Sequence, residues 1–457
     1  MVRFVYFSAV LFAFLLGKEA FGQGTFQLPQ GEKRLKIKAD VVNNLVIIPV
    51  TVNGVELSFL LDTGVRSTIL FGIESDDDLK LNNRSTVWLS GAGDGEPTEA
   101  IKSTHNIISV GQSTAIDQIV YYIPDGENNF SPRLGFAVHG IIGYELLKDF
   151  VVEVDYQREY VKLHDPESFK TSRYRSDTPV ALQLIAGKPY IDLKILGDNN
   201  AEIATKLLLD SGSGDALWLF ENEKKGIQVS ENSFKDHLGL GLSGEVTGYR
   251  SRLPRLELGD YTLNEVNVAY PDTTSLNYLR GMNFRNGSLG SEILKRFKVV
   301  FDYKNQLMYL RKNRYFDEPF RYDRSGLVVQ HTGFELVADL DYRIAKDQNM
   351  TEVSKDAWGS GGSRSSIFLE TNMVQFPQFK LKPNYEIAAI REDSPGAEAG
   401  LSVGDKLIKV NGRAVANLKL EEITRYFYRD EGSVLKLQVD RNGMVFNCKL
   451  KLKKILD

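Results

Sequence analysis

Two stretches of this sequence occur twice, and that duplication limits the possible folds more than any other feature. Residues 55–71, VELSFLLDTGVRSTILF, recur as residues 203–219, IATKLLLDSGSGDALWL. Residues 142–163 recur as residues 289–310 with nine identities in 22 positions, among them Gly143/Gly290, Glu145/Glu292, Phe150/Phe297 and Asp155/Asp302. The offsets are 148 and 147 residues and the order of elements is the same, which excludes coincidence. Solenoid units run about 20–45 residues. A unit of about 145 residues makes a pair of homologous domains instead.

Each copy reads as β structure. Leu45–Val52 is continuously apolar, Asn53-Gly54 makes a tight hairpin turn, and Val55–Leu61 returns. Residues 190–196, a turn at 197–200 and residues 203–209 repeat this arrangement. Both hairpins run into Asp-Thr/Ser-Gly, at Asp62-Thr63-Gly64 and Asp210-Ser211-Gly212. A Gly-rich stretch follows in each copy, residues 90–95 and 239–244. Then come Ile141-Ile142-Gly143 or Ser288-Leu289-Gly290, a short helix (145–149 or 292–296), and a closing hairpin turning at Gln157-Arg158 or Lys304-Asn305.

Alone, Asp-Thr/Ser-Gly is ordinary turn chemistry. Here it stands in register in both copies, after Phe59-Leu60-Leu61 and Leu207-Leu208-Leu209, and 81 or 80 residues ahead of a second fixed glycine. That combination is specific. Three apolar residues end a strand buried on both faces, which delivers the aspartate to the edge of a core. Gly64 and Gly212 permit a tight turn, and Thr63 and Ser211 offer hydroxyls to backbone groups across a pseudo-twofold axis. Two carboxylates about 3 Å apart share one proton. The ionised member takes a proton from a water while the protonated member hydrogen-bonds a scissile carbonyl, so the chemistry calls for no metal or other cofactor.

These residues resemble the aspartic peptidases, and among them the retropepsin-like enzymes built from a single duplicated chain. The resemblance covers roughly residues 40–315. It implies a mainly β, bilobal fold with a peptide or protein substrate in the cleft between the lobes. Asp62 and Asp210 would be catalytic, with Thr63, Gly64, Ser211, Gly212 and Ser213 supporting their loops. By the same resemblance the Gly-rich stretches are flaps closing over substrate, with Gly91, Gly93, Gly241 and Gly244 as flap residues. Val65 stands where the family usually has alanine, serine or threonine, and Ser288 replaces an apolar residue. Arg66 and Asp215 occupy positions often uncharged, where they restrict the cleft or pair with each other. The alternatives are a catalytically inactive, peptide-binding scaffold of the cell envelope and a structural β protein.

After Arg314 the pattern changes. Ser394 suits a helix N-cap, Pro395 the first helical position, Gly400 a C-terminal stop and Asn411-Gly412 a hairpin turn. Residues 418–428 form an amphipathic helix with Leu420, Ile423 and Phe427 on one face, and residues 434–439 and 444–452 are strands. Ser394-Pro395-Gly396-Ala397, Ala399-Gly400-Leu401, Gly404-Asp405 and Val410-Asn411-Gly412 resemble a bacterial PDZ domain, an α+β module. Such domains bind a peptide C-terminus as an added strand. Gly326, Leu327 and Val328 would then form the carboxylate loop, with Ile423 beside it, although about 55 residues separate Val328 from the strand at Tyr385. Residues 358–364, within that gap, read as a flexible loop.

The ends and composition bound the setting. Arg3, an apolar run over residues 4–16 and Ala20-Phe21-Gly22 have the layout of a secretory signal peptide. Thirteen apolar residues fall short of the roughly 20 needed to span a bilayer, and no later stretch is long enough, so the mature chain is expected to have no membrane span. A net charge of −4 without a basic run argues against nucleic acid as a partner. Cys448 is the only cysteine, which rules out an internal disulfide; its alternation with Phe446 and Leu450 suggests a buried thiol. The expected organisation is a signal peptide over residues 1–22, lobes over 23–165 and 166–318, and a PDZ-like domain over 319–457 with an insertion near 335–383. Export, no disulfides and the pairing of a peptidase with a PDZ domain point to the periplasm of a Gram-negative cell, with full secretion or association with the envelope as the alternatives.

Overall fold

The computed structural model describes residues 24–73, 79–124, 129, 131–197, 201–279, 284–344 and 373–456. The segment expected to be a signal peptide, residues 1–22, and the loop expected at 358–364 lie outside them. The chain is mainly β, in four sheets. The first lobe's sheet has eight strands in the spatial order Asp40–Val42, Leu45–Val52, Val55–Leu61, Gly140–Ile142, Thr68–Leu70, Ser113–Tyr122, Thr98–Val110 and Ser85–Leu89. The second lobe's sheet repeats that order with Gln183–Ile185, Lys188–Leu196, Glu202–Asp210, Gly287–Gly290, Leu217–Leu219, Tyr261–Pro271, Gly244–Leu258 and Phe234–Gly241.

The apolar triplets explain the centre of each sheet. Val55–Leu61 lies parallel to Gly140–Ile142, and Glu202–Asp210 lies parallel to Gly287–Gly290. Phe59, Leu60, Leu61, Leu207, Leu208 and Leu209 are all buried, as central parallel strands require.

The closing hairpins do not end two separate bodies. Val151–Asp155 pairs antiparallel with Phe297–Asp302, with Val154 opposite Val299. The two hairpins therefore fuse into a six-stranded sheet edged by Arg34–Lys38 and Thr178–Ala181. One apolar core runs through both lobes and this shared sheet as far as Phe320. The short helices are Tyr144–Leu147 and Ser291–Leu294, each starting one residue earlier than expected.

The third unit has its own core, from Leu327 to Leu452. Leu327–Ile344 and Met373–Ile390 pair directly, Leu327 opposite Ile390, so the described parts of the long gap are two paired strands of the sheet. Phe320 belongs to the core of the lobes, and the Tyr322 hydroxyl accepts from Val268 N (3.0 Å) and donates to Ser251 O (2.5 Å). The expected boundary at 318/319 thus moves to the segment between Tyr322 and Leu327. The predicted helix over 418–428 is regular only over Leu420–Thr424. Beyond it, Tyr426 N and Phe427 N bond back three residues to Ile423 O and Thr424 O, which tightens the chain. Leu420, Ile423 and Phe427 remain buried. Cys448 is half-buried rather than buried, because its strand is the outermost of the sheet.

Candidate active site

Asp62 and Asp210 end equivalent strands and meet at the junction of the lobes. Asp62 N donates to Ile142 O (2.9 Å), which ties the first aspartate to the neighbouring parallel strand. Four hydrogen bonds then cross between the lobes in reciprocal pairs. Thr63 Oγ1 donates to Leu209 O (2.6 Å) and accepts from Ser211 N (3.0 Å). Ser211 Oγ donates to Leu61 O (2.8 Å) and accepts from Thr63 N (3.0 Å). Each hydroxyl is used once as donor and once as acceptor, and both are buried. Neither alanine nor valine could replace this pattern without stranding a buried amide and a buried carbonyl.

The glycines are set by contact. A Cβ on Gly212 would stand 2.2 Å from Asp62 Oδ2, and one on Gly64 would stand 3.0 Å from Asp210 Oδ1. Their absence lets both amides approach the carboxyl: Gly64 N donates to Asp62 Oδ1 at 2.6 Å and Gly212 N at 3.2 Å. Gly143 and Gly290 pack against the carbonyls of Asp62 and Asp215 with no space for a side chain. Ser213 takes part through its backbone, Ser213 N donating to Asp210 O and Ser213 O accepting from Ser291 N.

The two carboxyls face one another across the Gly64 position: a Cβ there would stand 3.0 Å from Asp210 Oδ1 and 3.1 Å from Asp62 Oδ1. Burial, and after it the Asp210 charge, pushes Asp62 up to about 8 against the pull of the Gly64 amide, the Lys188 ammonium and the Gly212 amide. Asp210 is also raised by burial, with Arg285 and Lys188 opposing. Such a pair retains one proton over a wide pH range. Tyr303 lies close by with a buried hydroxyl that makes no hydrogen bond among the described residues.

The two Gly-rich stretches meet. Gly95 N donates to Ser243 O (2.7 Å), Ser243 N to Ala92 O (2.9 Å), and Gly91 N to Ser243 Oγ (3.1 Å). A Cβ on Gly93 would stand 2.3 Å from the Ser243 carbonyl carbon, and one on Gly241 would stand 2.1 Å from Ala92 O. Gly244 takes the left-handed conformation (φ 108°) beside Asp94. Contact between two backbones is why glycine recurs here.

Residues 48–146 match the aspartyl protease family, and residues 386–441 match the PDZ domain family. The chain carries an aspartyl protease domain and a C-terminal PDZ domain. No curated protein matches the sequence. Asp62 and Gly143 fall inside the protease match; Asp210 belongs to the second copy, which joins it through topology and the reciprocal bonds. Among the described residues, no cluster of three or more His, Cys, Asp or Glu side chains is placed to hold a metal ion. No helix among them is long and apolar enough to cross a membrane.

Three expectations need correction. Asp215 does not pair with Arg66: it accepts from Arg250 Nη1 (3.0 Å) and Trp218 Nε1 (2.7 Å), whereas Arg66 faces Glu145. In the PDZ domain, Leu327 and Ile423 are buried in its own core, so they do not line an open groove. The Ser325 and Gly326 amides are already taken by Asp323 Oδ1, at 2.5 and 3.1 Å, which leaves that turn no free donors for a peptide carboxylate. Gly326 and Val328 sit at the start of the edge strand, and this strand packs against residues 131–134 of the protease domain.

Sequence reasoning passed over Lys188, Arg285, Tyr303 and Ser243. Aligning the two copies beyond the motif would have exposed the first two, because each stands where the first copy has an apolar residue.

Proposed function

We propose that the chain is an exported endopeptidase that hydrolyses peptide bonds with a water activated between Asp62 and Asp210. The observation that carries this reading is the carboxyl pair itself: both groups crowd the Gly64 position, four reciprocal bonds between the lobes fix it, and burial raises both, with the Asp210 charge adding to the rise of Asp62. Sharing one proton, the pair supplies a base to take a proton from water and an acid to donate to the carbonyl oxygen as it becomes an alkoxide. The joined Gly-rich tips would cover the bound peptide and exclude bulk water, which strengthens those hydrogen bonds. The PDZ domain serves as a binding module docked on the first lobe. Pepstatin-sensitive cleavage of a peptide pool by the purified chain, absent in Asp62→Asn, is the expected result. A folded wild-type chain that binds peptides and cuts none would favour the inactive scaffold.

A further inference from the structure

The register of the two lobes shows what faces each aspartate. Ile47 pairs with Leu60 and Tyr190 pairs with Leu208, each two residues before the aspartate. Two steps back along those strands, Leu45 stands beside Asp62 and Lys188 beside Asp210. Val138 and Arg285 are likewise equivalent, each two residues before Gly140 or Gly287 in the strand that flanks the aspartate's own. In the first lobe Leu45 and Val138 belong to one buried apolar cluster with Leu60 and Phe71, and Leu242 from the opposite flap packs on it. That cluster lies beneath the joined Gly-rich tips, one of which carries Leu242. In the second lobe both positions have become cations.

Among the described residues no ion pair neutralises either cation, and only the carboxyl pair lies opposite them. Lys188 makes no hydrogen bond or ion pair among the described residues, yet it is half-buried and within electrostatic reach of Asp62, Asp210 and Arg285. Arg285 is 8% exposed, donates one hydrogen bond from Nε to Gly287 O (2.8 Å) and lies over the Phe220 ring. Two cations face a carboxyl pair that carries a single negative charge when it holds one proton, which leaves a surplus of one positive charge in a partly desolvated wall. Retaining unpaired charge there is costly unless a ligand completes it.

We propose that Lys188 and Arg285 form a carboxylate-recognising subsite on the second-lobe wall, and that the enzyme prefers peptides with Asp or Glu at one position flanking the scissile bond. The inference rests on the peptidase reading and names its substrate class. A neutral wall opposite, at Leu45 and Val138, confines the preference to one side of the bond. Hydrogen bonding to a guanidinium and an ammonium in a partly buried site discriminates a carboxylate from its amide strongly.

The test uses quenched peptides identical except for Glu, Gln or Leu at each flanking position, cut by wild type, Lys188→Leu, Arg285→Val and the double variant. At one position Glu should exceed Gln by about tenfold or more in kcat/KM, and each single change should reduce that ratio to about threefold or less. The ratio is internal to each preparation, so a partly folded variant still reports it. A wild-type ratio near one, or variants that shift the pH profile equally for all peptides and leave the ratio intact, would overturn the proposal; the cations would then only tune the aspartates. If wild type cuts nothing, binding of the Glu and Gln peptides to Asp62→Asn decides separately. Tighter Glu binding that Lys188→Leu removes would keep the subsite while the peptidase reading falls, and equal binding would remove both.

Discussion

Beneath the joined Gly-rich tips the first lobe has Leu45 and Val138 where the second has Lys188 and Arg285, while the backbone around Asp62 and Asp210 is repeated strand for strand. Behind the site the lobes differ again. Asp149 accepts from Phe26 N (2.8 Å), holding the chain that enters the first lobe. Its counterpart Arg296 is buried and donates to the carbonyls of Tyr315, Phe316 and Glu318, holding the chain that leaves the second. Duplication has thus kept what places the two carboxyls and released what surrounds them. A shared proton needs symmetric geometry; an asymmetric peptide and two different chain connections need asymmetric walls.

The largest expected effect treats the aspartates as one unit. Asp62→Asn and Asp210→Asn should each lower kcat by at least about 10³-fold, and the double variant should be no worse than either. Activity should follow a bell-shaped pH profile, measured on a quenched peptide. The same variant should be more stable at neutral pH. Asp62 is raised in the folded state to about 8, so its contribution to stability is full below the ordinary carboxylate range and lost as pH rises through about 8. Asparagine carries no such loss. The melting temperature of Asp62→Asn should therefore exceed wild type at pH 8, with the gain shrinking toward pH 4. A gain that grows toward acid would mean that the carboxyl is not buried as described.

Arg296 should show the cost of the divergent connection. Arg296→Met leaves the partly buried carbonyls of Tyr315, Phe316 and Glu318 without their donor and should destabilise the chain by about 2–4 kcal/mol in urea unfolding. Asp149→Asn, which removes the charge that Phe26 N and the partly exposed Lys148 ammonium bond to, should cost about 1 kcal/mol. Equal costs would show that the two connections carry equal load after all.

The cross-lobe bonds sharpen the symmetric half of the comparison. Thr63→Val and Ser211→Ala each remove two bonds and should destabilise by about 1–3 kcal/mol. Turnover should fall by about 10–100-fold because the carboxyls lose their mutual alignment. The two substitutions should cost nearly the same. A variant that is silent on one side would place the anchor in the other lobe alone.

Much of this geometry was legible because duplication turns weak motifs into registered pairs. Asp62 and Asp210 could be read from the triplets before them, and the Gly-rich stretches from their matched places between two fixed glycines. The fused central sheet was not legible, since a closing hairpin has the same alternation whether its outer edge meets solvent or its copy. Lys188 and Arg285 escaped because a lone cation near a turn reads as solvated; only strand register shows that each stands beside an apolar counterpart. The PDZ loop misled for a related reason. Ser325-Gly326-Leu327-Val328 has the right residue types, but the sequence does not reveal that Asp323, pushed up to about 6 by burial, already satisfies its amides.

The smallest expected effect concerns the 131–135 segment, where the PDZ domain meets the first lobe; against the second lobe it sets Arg391 over the Phe234 ring and 3.7 Å from Asp236 Oδ2. Gly135 follows the short helix Ser131–Leu134, has φ 64°, and a Cβ there would stand 2.5 Å from Leu420 Cβ of the PDZ domain. The same segment reaches the opposite flap, where Arg133 Nη2 bonds Glu245 Oε1 at 3.1 Å next to the Gly244 turn. Gly135→Ala should therefore cost about 1 kcal/mol, partly from the left-handed backbone and partly from the clash. Hydrogen exchange over residues 131–136 and at Leu420 should quicken together, while the strands carrying Asp62 and Asp210 keep their protection. The Arg133–Glu245 pair is partly exposed and worth well under about 1 kcal/mol, so peptide turnover should change by no more than about threefold. Faster exchange at residues 131–136 without any change at Leu420 would show that the PDZ domain is held elsewhere, through Arg321 and Arg324 against the 428–430 turn.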